Sequence, residues 1–145
     1  MFKHILIPVD GSKLSLRAAQ VGIEQARLTQ GTVTALHVIS PFQTISYMGA
    51  ILAATEFAYN EEAKNNAQRY LDQVKTLADA AGIPFEGVAE FGDEPYDTIV
   101  RTCKDKHADL IVMGSNGWRG MTRLLLGSET HKVLLRADVP VLVCH

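Results

Sequence analysis

Short apolar runs alternate with amphipathic stretches along the chain, the pattern of strands separated by helices. The first run, His4-Ile5-Leu6-Ile7-Pro8-Val9, ends at Asp10-Gly11-Ser12, a turn joined to a helix start. From Ser12 to about Gln30, Leu14, Ala18, Val21, Gly22 and Ala26 share one helical face. Gly31 then stands where a helix C-terminal glycine is expected. Thr32 to Ile39 reads as a second strand, broken by Ser40-Pro41. Phe42 to about Thr55 has no clear period and reads as a long connection. A helix follows over about Glu56 to Ala81, with Ala67, Tyr70, Leu71, Val74, Leu77, Ala78 and Ala81 at helical spacing and Gly82 and Pro84 as its stop. Pro84 to Phe91 is the third strand. Asp93 is expected to cap the next helix, Pro95 suits its first turn, and Tyr96, Ile99, Val100 and Cys103 form its buried stripe. Asp109 to Met113 and Pro140 to Cys144 are the last strands, separated by a glycine-rich loop and a helix from Ser128 to about Arg136.

This order predicts an α/β fold: a doubly wound parallel sheet with helices on both faces, Rossmann-like in its architecture. Ligands of such sheets sit beyond the C-terminal strand ends, where the winding reverses. If the first and fourth strands are neighbours, that place lies near Asp10, Ile39 and Gly114.

Length and composition narrow the function. A chain of 145 residues suits one domain, 1–145, and its 47% hydrophobic and 21% charged residues are those of a globular protein. Fourteen Lys and Arg against sixteen Asp and Glu give a net charge of −2, without the basic excess of a nucleic-acid binder. Two cysteines, Cys103 and Cys144, are too few for a disulfide scaffold, and the histidines show no metal-ligand spacing with them. The N-terminal apolar tract is too short for a signal peptide, and no stretch approaches the ~20 apolar residues of a membrane span. A cytoplasmic protein with no nucleic-acid partner and no membrane insertion is the expectation.

The chemistry concentrates after the fourth strand. Gly114 and Gly117 are followed by Gly127-Ser128 in the pattern G-x2-G-x9-G-S. Glycines at a strand end let backbone N–H groups approach a phosphate, and a helix opening on Gly-Ser adds free N–H groups and a positive dipole end. Ser128 and Thr130 add hydroxyl donors. The bland alternative is that these glycines only make turns; at average composition, this pattern arises by chance in about half a percent of chains this long. The spacing is not that of a P-loop, and the first strand–helix turn lacks the dinucleotide fingerprint.

These segments resemble the universal stress proteins, in particular their ATP-binding branch. The likeness runs through Ile7-Pro8-Val9-Asp10-Gly11-Ser12, Leu36-His37-Val38-Ile39, Ala108 to Ser115, the glycine motif and Val139-Pro140-Val141-Leu142-Val143. It implies five parallel strands in the order 3-2-1-4-5 and a nucleotide site formed by Pro8, Val9, Asp10, Val38, Met113, Gly114, Ser115, Gly117, Gly127, Ser128, Glu129 and Thr130. In that implied site adenine lies beside Pro8, with Val38 backbone groups at its edge and Met113 close by. Asp10 faces the ribose and the nearer phosphates, where a divalent ion, Mg2+ or Mn2+, helps; Gly114 and Gly117 line ribose and phosphates, and Gly127 to Thr130 hold the phosphate tail. Dimerisation through the fifth strand, Pro140 to Cys144, is also implied.

Glu129 departs from the family, whose members usually carry a small or apolar residue there. A carboxylate beside a triphosphate is repelled unless it points outward, which leaves ADP or AMP open as ligands. Arg119 and Arg123 could offset the charge, although solvated arginines are the commoner case. Asp10 divides between helix cap and ligand group, His37 fits a strand-end or ribose-side residue better than a catalyst, and Cys103 fits an inert core thiol.

No arrangement joins a nucleophile, a base and an orienting partner, so efficient catalysis is not expected. The leading reading is a stress-response protein that binds ATP, or another adenine nucleotide, as a regulatory switch toward an unidentified protein partner. Its expected moving parts are Phe42 to Thr55 and Trp118 to Leu126. The alternatives are a nucleotide-independent dimeric adaptor acting through Tyr47, Ile51 and Leu52, and a very slow ATPase or self-phosphorylating enzyme.

Overall fold

A computed structural model describes residues 1–42, 49–116 and 126–145, with the backbone alone for 49–52. The elements run β1 (His4–Pro8), α1 (Lys13–Thr29), β2 (Thr32–Ile39), α2 (Gly49–Ala81), β3 (Phe85–Phe91), α3 (Pro95–Asp105), β4 (Leu110–Gly114), α4 (Ser128–Arg136) and β5 (Val141–Cys144). The strands form one parallel sheet in the order β3-β2-β1-β4-β5. The first and fourth strands are therefore neighbours, with Ile5 opposite both Val33 and Leu110.

Each central strand is apolar on both sides because helices cover both faces. Ile5, Ile7 and Val9 point into a core shared with Ala18, Ile23 and Ala26 of α1 and Leu71, Val74 and Ala78 of α2. Leu6 alternates to the other face and meets Ile99 and Cys103 of α3 and Val133 of α4. Burial pushes the Cys103 and Cys144 thiols above their ordinary pKa, so both are neutral thiols near pH 7. No helix among the described residues is long and apolar enough to cross a membrane.

Four local expectations change. Helix α2 begins at Gly49, so the second half of the expected connection is helical. Residues 50–58 are mostly strong helix formers whose apolar positions go all the way round, which hides the period but not the propensity. The buried face of α1 is Ser15, Ala18, Ala19, Gly22, Ile23 and Ala26, while Val21 is exposed. The sheet selects the small residues, because a Cβ on Gly22 would lie 2.6 Å from Ile7 Cδ1. Asp93 does not cap α3; the cap position is Glu94, without a side-chain bond to the helix. Finally, the left-handed residue that ends α1 is Gln30 (φ 55°), not Gly31. Gly31 is small for another reason: an added Cβ would sit 2.8 Å from the Lys3 carbonyl oxygen, where β1 and β2 begin.

The two neighbours should respond oppositely. Gly31→Ala forces the Lys3 backbone aside and is expected to lower stability by about 1–3 kcal/mol in urea unfolding. Gln30→Gly relieves the left-handed strain and should raise it by about 0.5–1 kcal/mol.

Candidate functional site

The C-terminal ends of β1, β2 and β4 open into a cleft of about 830 Å³. Its floor is Pro8, Val9 and Asp10, the β2 end from Leu36 to Ser40, and Met113 and Gly114. One wall is the face of α2 that carries Tyr59, Glu62, Ala63, Asn66 and Tyr70. The far end is closed by Pro95 and Ile99 of α3, Asn116, and Gly127 to Thr130.

The turn after β1 is locked by its own side chains. The Ser12 N–H donates to Asp10 Oδ1 at 2.9 Å, and Ser12 Oγ accepts from the Ser15 N–H at 3.1 Å, capping α1. Ser12 thus takes the cap, while Asp10 holds the turn and still faces the cleft. Gly11 adopts φ 84°, and an added Cβ there would run into the Tyr70 ring. Tyr70 also meets His37 edge-on at 5.2 Å between centroids. His37 Nδ1 lies 2.8 Å from the Val9 carbonyl, which can only accept, so Nδ1 carries a proton. His37 is thereby built into the strand ends. Tyr59 Oη donates to the Ser40 carbonyl at 2.7 Å and fixes α2 to the end of β2.

The polar end depends on how α4 starts. Gly127 is extended (φ −61°, ψ 151°) and caps the helix without a side chain. The first helical bond runs from the His131 N–H to the Gly127 carbonyl at 2.9 Å. Ahead of it, the N–H groups of Ser128, Glu129 and Thr130 take no partner among the described residues. Thr130 Oγ1 turns inward and donates to the Gly114 carbonyl at 2.9 Å, so its hydroxyl ties α4 to β4 and is not a phosphate donor.

Glu129 does point away. Its Oε2 accepts from the Tyr96 N–H at 2.8 Å, and Lys132 Nζ lies 3.6 Å from Oε1. The N-terminus of α3 is thus satisfied from α4, in the place where an Asp93 cap was expected.

Of the expected nucleotide residues, Pro8, Val9, Asp10, Val38, Met113, Gly114, Gly127, Ser128, Glu129 and Thr130 line this one cleft. Ser115 does not. It is buried, its N–H donates to the Cys144 carbonyl and its own carbonyl accepts from the Gly127 N–H, each at 2.7 Å. Gly117, Trp118, Arg119, Arg123 and Tyr47 lie outside the described residues, as do the side chains of Ile51 and Leu52. The α2 wall is missing from the sequence reading, which assigned Tyr70 to the core. Its signal was present as the spacing of Tyr59, Ala63, Asn66 and Tyr70, a helical stripe upstream of the core stripe.

The universal stress protein family model matches residues 1–145. The chain belongs to the universal stress protein family. Universal stress protein MJ0531 of Methanocaldococcus jannaschii is 37% identical over 150 residues, covering 99% of this chain and 82% of that one. The solved structure of the M. jannaschii protein MJ0577 superposes with a TM-score of 0.80 at 26% identity, covering 99% and 96% of the two chains. A universal stress protein solved in complex with cAMP gives a TM-score of 0.73 at 27% identity, covering 99% and 97%.

Two substitutions test how the cleft is held. Gly11→Ala combines a left-handed φ with the Tyr70 collision and should cost about 2–4 kcal/mol, of which Tyr70→Leu in the same chain recovers only the collision. Thr130→Val keeps the volume but strips the Gly114 carbonyl of its donor, for an expected loss of about 1–2 kcal/mol. Chemical denaturation of the single and double variants reads both.

Proposed function

We propose that this universal stress protein binds an adenine nucleotide, ATP or a shorter one, in the cleft above β1 and β4. The observation that carries the reading is the open start of α4: three N–H groups and a helix dipole lie at a cleft that also holds the apolar side chains of Pro8, Val38 and Met113. Pro8, Val38 and Met113 form a slot suited to a flat base, with strand-end backbone groups at its edge. The cAMP complex of a related protein supports the ligand class. No cluster of three His, Cys, Asp or Glu side chains among the described residues holds a metal alone. Mg2+ or Mn2+ would come with the phosphates, and Asp10 is the carboxylate placed to share it.

The protein acts as a binder and a regulatory switch, not as a fast enzyme. Two carboxylates near the phosphate region, Asp10 and Glu129, are committed to backbone N–H groups, which suits holding a ligand better than activating water. Occupancy has a route to the sheet edge: Gly127 at the cleft bonds to Ser115, and Ser115 bonds to Cys144 on β5. Leu142 on that edge strand and Leu134 and Leu135 of α4 are exposed apolar groups, suited to a homodimer through Pro140 to Cys144. The nucleotide then biases dimer formation and the affinity for a protein partner in the cytoplasm.

Ser128→Pro tests the site with little structural cost, since proline is accepted at a first helical position and Gly127 already has the extended backbone that precedes proline. The variant removes one N–H and one hydroxyl. In calorimetric titration its affinity for adenine nucleotide should fall about tenfold or more at unchanged thermal stability; an unchanged affinity would move the ligand away from α4. Sedimentation velocity checks the switch: the dimer constant should differ with and without nucleotide, and equal constants would leave occupancy without this output.

A further inference from the structure

The first turn of α3 leaves one donor that its own segment does not satisfy. Pro95 carries no N–H, and the N–H groups of Asp97 and Thr98 both donate to the Glu94 carbonyl, at 3.1 and 3.4 Å. The Tyr96 N–H remains, and its partner stands on another helix: Glu129 Oε2, at 2.8 Å. That bond is charge-assisted and partly buried. Lys132 braces it from outside, with Nζ 3.6 Å from Glu129 Oε1 and 5.2 Å from the centre of the Tyr96 ring. One turn deeper, Ile99 of α3 and Val133 of α4 share one core cluster. Both ends of the bond belong to the cleft. Pro95, just before Tyr96, and Ile99, one turn on, line its wall. Glu129 stands in the first turn of α4, whose own hydrogen bonds begin only with the His131 N–H.

We infer that Glu129 is a positioning residue that couples the α3 wall of the cleft to the start of α4, so that a phosphate held at α4 also fixes α3. The inference rests on the adenine-nucleotide reading of this cleft and adds how the cleft responds to its ligand. Two groups of one residue make the coupling. The Glu129 N–H heads α4 among the donors offered to a phosphate, and the Glu129 carboxylate holds the Tyr96 N–H. A ligand that orders the first turn of α4 restricts the Glu129 backbone, which keeps the carboxylate in place and draws Pro95 and Ile99 to the ligand. Linkage makes the effect reciprocal: a start of α4 already held by α3 loses less freedom on binding, and the ligand binds more tightly. A cap from Asp93 or Glu94 would satisfy the same donor without joining the two helices. Placing the acceptor on α4 is what makes the cap a coupling.

The experiment follows hydrogen exchange at the Tyr96 amide by NMR in the nucleotide-stripped full chain, free, with saturating adenosine and with saturating AMP. Wild type, Glu129→Gln and Glu129→Ala are compared, and calorimetry gives the AMP affinity of each. Glutamine keeps an acceptor for the Tyr96 N–H without the charge and alanine keeps neither, so the difference between the two variants reads the bond and not the charge. In wild type and Glu129→Gln, AMP should slow Tyr96 exchange about fivefold and adenosine should not. In Glu129→Ala the slowing should vanish, and AMP should bind about fivefold more weakly than to Glu129→Gln. Equal Tyr96 exchange in wild type with and without AMP overturns the inference, because the bond is then a static cap; so does equal slowing by adenosine, or equal AMP affinity in the two folded variants. The wild-type comparison decides the matter even where Glu129→Ala does not fold. Binding of neither ligand by folded wild type overturns the underlying nucleotide reading instead.

Discussion

A parallel sheet whose connections run to both faces must part its helices where the direction changes. Here that place is the junction of β1 and β4, neighbours in the sheet whose following helices α1 and α4 pack into the cores on opposite faces. β4 is buried along its whole length and β1 is half-buried only at its two ends, so the junction is covered except where the cleft opens above Pro8. Everything in the cleft is hung on that parting: the Asp10 turn closes β1, Gly114 closes β4, and α4 starts beside both.

What gives the parting its polarity is a short series of committed hydrogen bonds. Thr130 spends its hydroxyl on Gly114, and Ser115 spends its backbone on Gly127 and Cys144. These fix α4 against the sheet without using the N–H groups that head it. The cost of leaving three donors open is acceptable because they face a cleft, where water or an anion can reach them. Glu129 closes the neighbouring helix in the same way, with one carboxylate serving as the cap that α3 lacks in its own sequence.

Much of this was legible in the sequence. The alternating apolar runs announce the strands and the doubly wound class, and ten of the expected cleft residues meet in one cavity because strand ends and helix starts are local features. The details that were not legible depend on tertiary distance. Gly31 reads as a helix stop but is small for the sake of Lys3, a contact between residues far apart in sequence. Asp93 reads as a cap, yet the α3 N–H is taken by Glu129 from another helix. Ser115 belongs to the glycine motif by position, and its burial behind the strand end follows from the pairing of β4 with β5. The α2 wall escaped because Tyr70 sits between two stripes, touching both the core and the cleft.

The central claim is that the open start of α4 holds the phosphate of an adenine nucleotide while the strand ends hold its base. Amide chemical-shift mapping by NMR separates these two parts directly, with AMP and adenosine as paired ligands. The account predicts that the amides of Ser128, Glu129 and Thr130 shift with AMP and stay in place with adenosine, while those of Val38 and Ile39 shift with both. Unmoved α4 amides under saturating AMP, or shifts centred on another face of the sheet, would contradict it.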